Sequence, residues 1–220
     1  MFKLNLMSGK EKFIVIEGPI GVGKTTLARK LSKTFNCKLM LESFSENPFL
    51  KKFYKNQEQY AFSTQLFFLL MRSKQYADYK LAKSDKSTII SDYFLGKDLL
   101  FAEVTLNKEE LEMYKKIYNI LELKHPKPDL IIYLQAPVDK LINRIKSRAI
   151  DYEQGISDRY LNTVINAYTN YFHTYNQSPL LIINTSNVNI NEDYDYKMLI
   201  DEISKDIKGK KYFNPTTPNE

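Results

Sequence analysis

The sequence predicts an α/β fold: a five-stranded parallel sheet with helices on both faces and a short lid. Three observations lead there. Short apolar runs alternate with longer helical patterns, the signature of strand–helix–strand units and a parallel sheet. The first apolar run, Phe13-Ile14-Val15-Ile16, leads into G-P-I-G-V-G-K-T at 18–25, a glycine-rich turn between a strand and a helix. Pro126 and Pro128 break the chain just before another apolar run at 130–135.

Taken in order, strand one covers about 12–17 and is followed by a helix over 24–35. Strand two covers about 38–42, and Asn47-Pro48 opens a short helix through Tyr54. A long helical pattern over 57–83 sets Phe62, Leu66, Leu69, Leu70 and the small Ser73 close to one face. Strand three covers 88–92, with helices at 95–106 and 108–123. Strand four is 130–135, and Pro137 starts a helix through about 146. A helix over 158–175, strand five at 180–184 and a helix over 196–207 follow. One domain over 1–207 is expected, with a lid at about 148–157 and a polar, mobile tail over 208–220. No internal repeat or second domain is visible. Crossovers should be right-handed, with ligands at the carboxyl ends of the strands.

The turn carries the first chemistry. Gly18, Pro19, Ile20, Gly21, Val22, Gly23, Lys24 and Thr25, with Thr26 after them, have the spacing of a loop that cradles phosphate. Glycines let backbone N–H groups point inward at phosphate oxygens. Lys24 would reach the β- and γ-phosphates, the Thr25 hydroxyl would hold Mg²⁺, and the helix adds its positive end.

The strand-end rule then sorts the acids. Glu42 ends strand two and Asp92 ends strand three, whereas Asp129 precedes strand four and falls on the opposite edge. Asp92 fits either an acid that holds Mg²⁺ or its water, or a helix cap. Glu42 fits either a general base for a substrate hydroxyl or a surface ion pair. Arg144 and Arg148 are four apart and share a helical face, as a phosphoryl clamp or as two solvated arginines. Arg148 opens the polar lid segment, which would exclude water from a phosphoryl transfer.

Composition narrows the class. The chain has 220 residues, 43% hydrophobic and 26% charged, enough for a sizeable core. The net charge of +6 is spread along the chain, which suits a nucleotide-phosphate pocket and solvated lysines rather than nucleic acid. The longest apolar run, 66–71, is far short of the ~20 residues that span a bilayer. No secretion signal is visible, and the single Cys37 excludes an internal disulfide, so a cytoplasmic protein without a membrane partner is expected.

Several dispersed motifs in one order carry a resemblance. They are E-G-P-I-G-V-G-K-T-T (17–26), E-S-F-S-E-N-P-F-L (42–50), F-Y (53–54), T-Q-L-F-F-L-L-M-R (64–72), S-D-Y-F-L-G-K-D-L-L-F-A (91–102) and R-I-K-S-R-A-I-D-Y-E-Q-G-I (144–156). Over about 12–185 the chain resembles the deoxynucleoside kinases, particularly the bacterial deoxyguanosine and deoxyadenosine kinases. The resemblance implies ATP- and Mg²⁺-dependent phosphorylation of the 5′-OH of a purine deoxynucleoside, by a homodimer. It implies that Glu42 is the base for that hydroxyl and that Tyr54 and Glu153 bind the 3′-OH. Gln65 would pair with the nucleobase edge, beside Arg72. Lys24, Arg144 and Arg148 would stabilise the transferring phosphate, while Phe44, Phe68, Phe94 and Phe101 would wall the base pocket or serve as plain core.

The chain departs from the family in three places. Ser91-Asp92-Tyr93 stands where many members have acid–Arg–Ser, so a family arginine is missing. Arg148-Ala149-Ile150 replaces a frequent R-G-R in the lid. Lys97 stands where several members have an Asp, so Lys97 either reads a base carbonyl such as guanine O6, favouring deoxyguanosine, or faces solvent. Alternatives are a deoxyadenosine/deoxycytidine kinase, a monophosphate kinase resembling thymidylate kinase, and a nucleotide-dependent switch. Glu42 would repel the acceptor phosphate of a monophosphate kinase, and a switch resembles proteins with an N-K-x-D motif, which the chain lacks.

Overall fold

The computed structural model describes residues 12–81, 87–121, 126–186 and 188–214. Its elements run β1 (Phe13–Glu17), α1 (Lys24–Phe35), β2 (Lys38–Met40), α2 (Leu50–Phe53), α3 (Gln57–Leu81), β3 (Ile89–Ser91), α4 (Lys97–Thr105), α5 (Lys108–Ile120), β4 (Leu130–Gln135), α6 (Val138–Ser147), α7 (Asp158–Thr174), β5 (Leu180–Asn184), α8 (Asp193–Ile203) and β6 (Lys210–Phe213). Single 3₁₀ turns occupy Phe44–Glu46 and Asp151–Glu153.

The strand order is β2-β3-β1-β4-β5-β6, and every pair is parallel. Side chains alternate across the sheet, as the two-residue strand period requires. Ile14, Ile16, Ile132, Leu134, Leu181 and Ile183 face a core shared with α1, α6 and α8. Val15, Ile131, Tyr133, Leu180 and Ile182 face the other core, shared with α3, α4 and α7. Both faces are covered, which is why these strands read as continuous apolar runs. A smaller cluster of Leu69, Ala102 and Tyr114 joins α3, α4 and α5.

The sheet has six strands, not the expected five. The sixth is Lys210, Lys211, Tyr212 and Phe213, inside the stretch read as a mobile tail from Lys208. It pairs with β5 from Leu180↔Lys210 to Ile183↔Phe213, and Lys211 reaches the Glu202 carboxylate on α8 at 2.5 Å. An edge strand with exposed lysines carries no apolar run, so its sequence reads as tail.

Other boundaries differ for local reasons. β2 stops at Met40 rather than 42, because the Glu42 N–H donates to Asp92 Oδ1 at 2.8 Å instead of to a neighbouring strand. α8 begins earlier, with Asp193 and Asp195 in its first turn, where acids favour a helix N-terminus. The expected helix ends at 83 and 123 lie outside the described residues. Asp129 sits at the opposite edge, as expected, and accepts the Phe13 N–H at 2.7 Å. Among the described residues, no helix is long and apolar enough to cross a membrane.

Candidate active site

The turn after β1 is held close to two other elements. Gly18 has φ +148, and a Cβ there would collide with the Leu134 carbonyl oxygen of β4. Gly21 has φ +82, and a Cβ would lie 2.8 Å from Ile145 Cγ1 of α6. Only glycine fits both the conformation and the space. Lys24 arches back over the loop, donating to Gly18 O at 2.6 Å and Pro19 O at 3.2 Å. Burial, and next the Lys97 charge, lower the Lys24 ammonium to about 8, against the pull of Glu17, Glu42 and Asp92.

Two strand ends meet beside it. Thr25 Oγ1 donates to Asp92 Oδ2 at 2.5 Å, while Asp92 Oδ1 receives the Glu42 N–H. Asp92 therefore links the loop to the residue after β2 and caps no helix, since α4 begins only at Lys97. A hydroxyl and a carboxylate here make a hard-oxygen donor pair at the phosphate loop, which fits Mg²⁺.

Glu42 is no surface ion pair. It is buried, and cations hold both its oxygens. Arg72 of α3 donates Nε to Oε1 at 2.6 Å and also brings Nη2 to that oxygen. Lys97 of α4 donates to Oε2 at 2.9 Å. Burial alone would raise the carboxyl; Arg72 and Lys97 outweigh it and hold Glu42 at about 2. Arg72 also donates Nη1 to the buried Asp98. Lys97 does not face solvent: its ammonium lies against Glu42 and, at 3.7 Å, Glu17, and it lines a cavity together with Glu42.

Two cavities join at this point. The smaller, about 60 Å³, is lined by Glu42, Gln65, Phe68, Arg72, Lys97 and Phe101, among others. An open cleft of about 980 Å³ runs along the phosphate loop to Arg144, Arg148 and Glu153, large enough for a nucleotide. Ile20, Lys24, Phe44, Leu50 and Tyr54 border both.

Phe44, Phe68 and Phe101 line the smaller cavity, with Phe44 edge-on to Phe68 at 6.0 Å and the Arg72 guanidinium 4.9 Å from the Phe68 ring centre. Phe94 does not join them: it is buried edge-on to Tyr175 at 6.2 Å, in the core. Thr64 Oγ1, in the same cavity, has no hydrogen-bond partner among the described residues.

The two lid arginines share a helical spacing but not a partner. Arg144 donates to Thr185 Oγ1 at 2.9 Å and Thr185 O at 2.8 Å, bridging α6 to the end of β5. Burial lowers its pKa. Arg148, just past α6, pairs with Glu153 in the 3₁₀ turn. Burial raises the Glu153 carboxyl, with Arg148 opposing. Tyr54 stacks on Tyr152 at 6.1 Å and borders the same cleft as Glu153. Ala149, at φ +51, turns the chain between them.

Three groups escaped the sequence reading. Glu17 is the last residue of β1, fully buried and bonded on several sides; the strand-end rule applied to it would have found it. Asp98 has no strand-end signal and emerges only through Arg72. Ser186, Asn189, Asn191 and Asp195 line the far end of the cleft after β5, again at a carboxyl end.

The family model described as Deoxynucleoside kinase matches residues 14–208. The chain is 43% identical over 159 residues to Deoxyguanosine kinase of Bacillus subtilis, covering 71% of this chain and 76% of the relative. It is 28% identical over 207 residues to Deoxyadenosine/deoxycytidine kinase of the same organism, covering 90% and 94%. The structure of deoxyadenosine kinase from M. mycoides with bound dATP superposes with a TM-score of 0.76 at 26% identity, covering 88% of this chain and 100% of that one.

Proposed function

The chain belongs to the deoxynucleoside kinase family, a family of phosphotransferases, and on that premise we propose that it uses ATP to phosphorylate the 5′-OH of purine deoxynucleosides, deoxyguanosine ahead of deoxyadenosine. The observation that carries this reading is the join between the two cavities. Glu42 lies in the smaller one, and Ile20 and Lys24 of the phosphate loop border both. A nucleoside that widens the smaller cavity presents its 5′-OH to Glu42, while a triphosphate in the cleft presents its γ-phosphoryl from the other side.

The oxygens of Glu42 have different duties. Arg72 directs two N–H groups at Oε1, whereas Oε2 receives only Lys97, leaving Oε2 the freer lone pair. Oε2 takes the 5′-OH proton as O5′ bonds to the γ-phosphorus; the β–γ bridging oxygen departs with the bonding electrons, giving the 5′-monophosphate and ADP. Lys24 and the loop amides of residues 18–25 stabilise the transferring charge. Arg148 swings from Glu153 to the same oxygens, and Arg144 fixes the cleft wall through Thr185. Thr25 and Asp92 would hold Mg²⁺, which neutralises phosphate charge when bound.

Tyr54 borders both cavities and Glu153 the cleft, and the two read the 3′-OH. Phe44, Phe68 and Phe101 sandwich the base, each ring contact contributing about 1 kcal/mol. Arg72 is donor-only and retains N–H groups beyond those given to Glu42 and Asp98. With the Gln65 amide beside it, this favours guanine O6 over an adenine amino group. The 43% identity to a relative named Deoxyguanosine kinase supports the same preference. The relative named for deoxyadenosine and deoxycytidine and the structure with bound dATP support a nucleotide-sized site and deoxyadenosine as a further substrate.

A panel of deoxyguanosine, deoxyadenosine, deoxycytidine and nucleoside monophosphates with MgATP tests the reading. The expected result is the highest kcat/KM for deoxyguanosine, then deoxyadenosine, and no transfer to monophosphates. A leading deoxycytidine or an accepted monophosphate overturns it.

A further inference from the structure

Glu17 is the last residue of β1 and is fully buried. It lines neither cavity itself, yet its carboxylate joins four parts of the molecule. Oε2 accepts the Gly18 N–H at 3.1 Å, at the first residue of the phosphate loop. The same oxygen accepts the Tyr168 hydroxyl of α7 at 2.9 Å. Oε1 accepts the Phe94 N–H at 2.7 Å, in the segment between β3 and α4. Lys97 of α4 stands 3.7 Å from Oε1 and, with the same ammonium, donates to Glu42 Oε2.

A buried carboxylate is costly unless donors surround it. Three donors and a cation surround this one, and two of the four belong to the opposite halves of the site. Gly18 begins the loop that would hold the donor phosphates. Lys97 holds the carboxylate that would deprotonate the acceptor. A continuous chain therefore runs from Gly18 N–H through Glu17 and Lys97 to Glu42.

We infer that Glu17 and Lys97 form a positioning bridge that sets the distance between the phosphate loop and the Glu42 carboxylate. Glu17 touches none of the reacting atoms, and Lys97 reaches only the Glu42 oxygen that takes the proton. The inference rests on the kinase reading above. Phosphoryl transfer requires the acceptor oxygen and the γ-phosphorus to meet in line, and a misplacement of about 1 Å costs about 100-fold in rate. The bridge supplies that register with charge-assisted hydrogen bonds at Gly18 and Glu42 and a buried ion pair between Glu17 and Lys97.

The test is a set of variants of the full chain: Glu17→Gln, Lys97→Met, Lys97→Arg and the Glu17→Gln/Lys97→Met double variant. Each is assayed for kcat and for KM toward ATP and deoxyguanosine, with thermal melts alongside. Glu17→Gln keeps the shape and removes the charge shared with Lys97. Glu17→Gln and Lys97→Met should each lower kcat by about 100-fold with both KM values within about 3-fold of wild type. The double variant should be no worse than the poorer single, because one bridge is broken once. Lys97→Arg should recover most of the lost kcat.

The bridge is overturned if the two losses multiply, if KM rises while kcat holds, or if Lys97→Arg is as poor as Lys97→Met. If Glu17→Gln does not fold, Tyr168→Phe carries the test, since it removes only the hydroxyl on Glu17 Oε2. A lower kcat at unchanged KM supports the bridge, and wild-type kcat overturns it. An active wild type with unaffected variants sinks the bridge alone, whereas a wild type that phosphorylates no deoxynucleoside sinks the kinase reading itself.

Discussion

Arg72 Nε lies 2.6 Å from Glu42 Oε1, with both side chains buried. This contact keeps the Glu42 carboxyl ionised although burial alone would protonate it. A group held at about 2 is deprotonated throughout any ordinary assay range.

Replacing Arg72 by Leu removes the larger of the two opposing charges and leaves burial to act. The Glu42 pKa then rises. Wild-type kcat/KM for the deoxynucleoside is therefore flat on its acid side from pH 7 down to about 5, and Arg72→Leu shows an acid limb inside that window. The pH–rate profile, taken with a melt at each pH, checks this. An unchanged profile contradicts the role given to Arg72.

Asp92 joins Thr25 Oγ1 and the Glu42 N–H. Asp92→Asn keeps the size and halves the hard-oxygen donor strength available to a cation. The Mg²⁺ concentration for half-maximal activity should rise by about 10-fold or more, a loss of about 10- to 100-fold in metal affinity being usual when such a partner is changed. A Mg²⁺ titration of both proteins reads it directly, and an unshifted midpoint removes Asp92 from the metal site.

Deleting residues 210–220 removes β6 and the Lys211–Glu202 contact. The melting temperature should fall by about 2–4 °C for each kcal/mol of strand pairing and packing lost. A mere tail would leave it unchanged. Differential scanning calorimetry of the shortened chain decides.

How far the sequence led can be seen at single residues. Gly18, Gly21, Gly23, Lys24 and Thr25 were legible because backbone conformation and phosphate geometry demand those types at that spacing. The central strands were legible because burial on both faces writes continuous apolar runs, and strands four and five have the bounds expected of them. Glu42 and Asp92 surfaced through the strand-end rule, and the structure brings them into contact. β6 was not legible: an edge strand of two lysines, Tyr212 and Phe213 has no pattern that separates it from a tail. Nor were the partners of Lys97 and Asp98, since buried charge pairing is a matter of tertiary geometry that local sequence does not encode. Phe94 shows the same limit: its type fits a base pocket, and only the packing against Tyr175 sends it to the core.

The most direct measurement is the turnover of Glu42→Gln with MgATP and deoxyguanosine. Glutamine keeps the shape and the hydrogen bond to one cation but cannot take the 5′-OH proton. The account predicts a kcat lower by about 100- to 10,000-fold, with the KM for deoxyguanosine changed little and the protein still folded. Full turnover by Glu42→Gln, beside an active wild type, would contradict the assignment of Glu42 as the base.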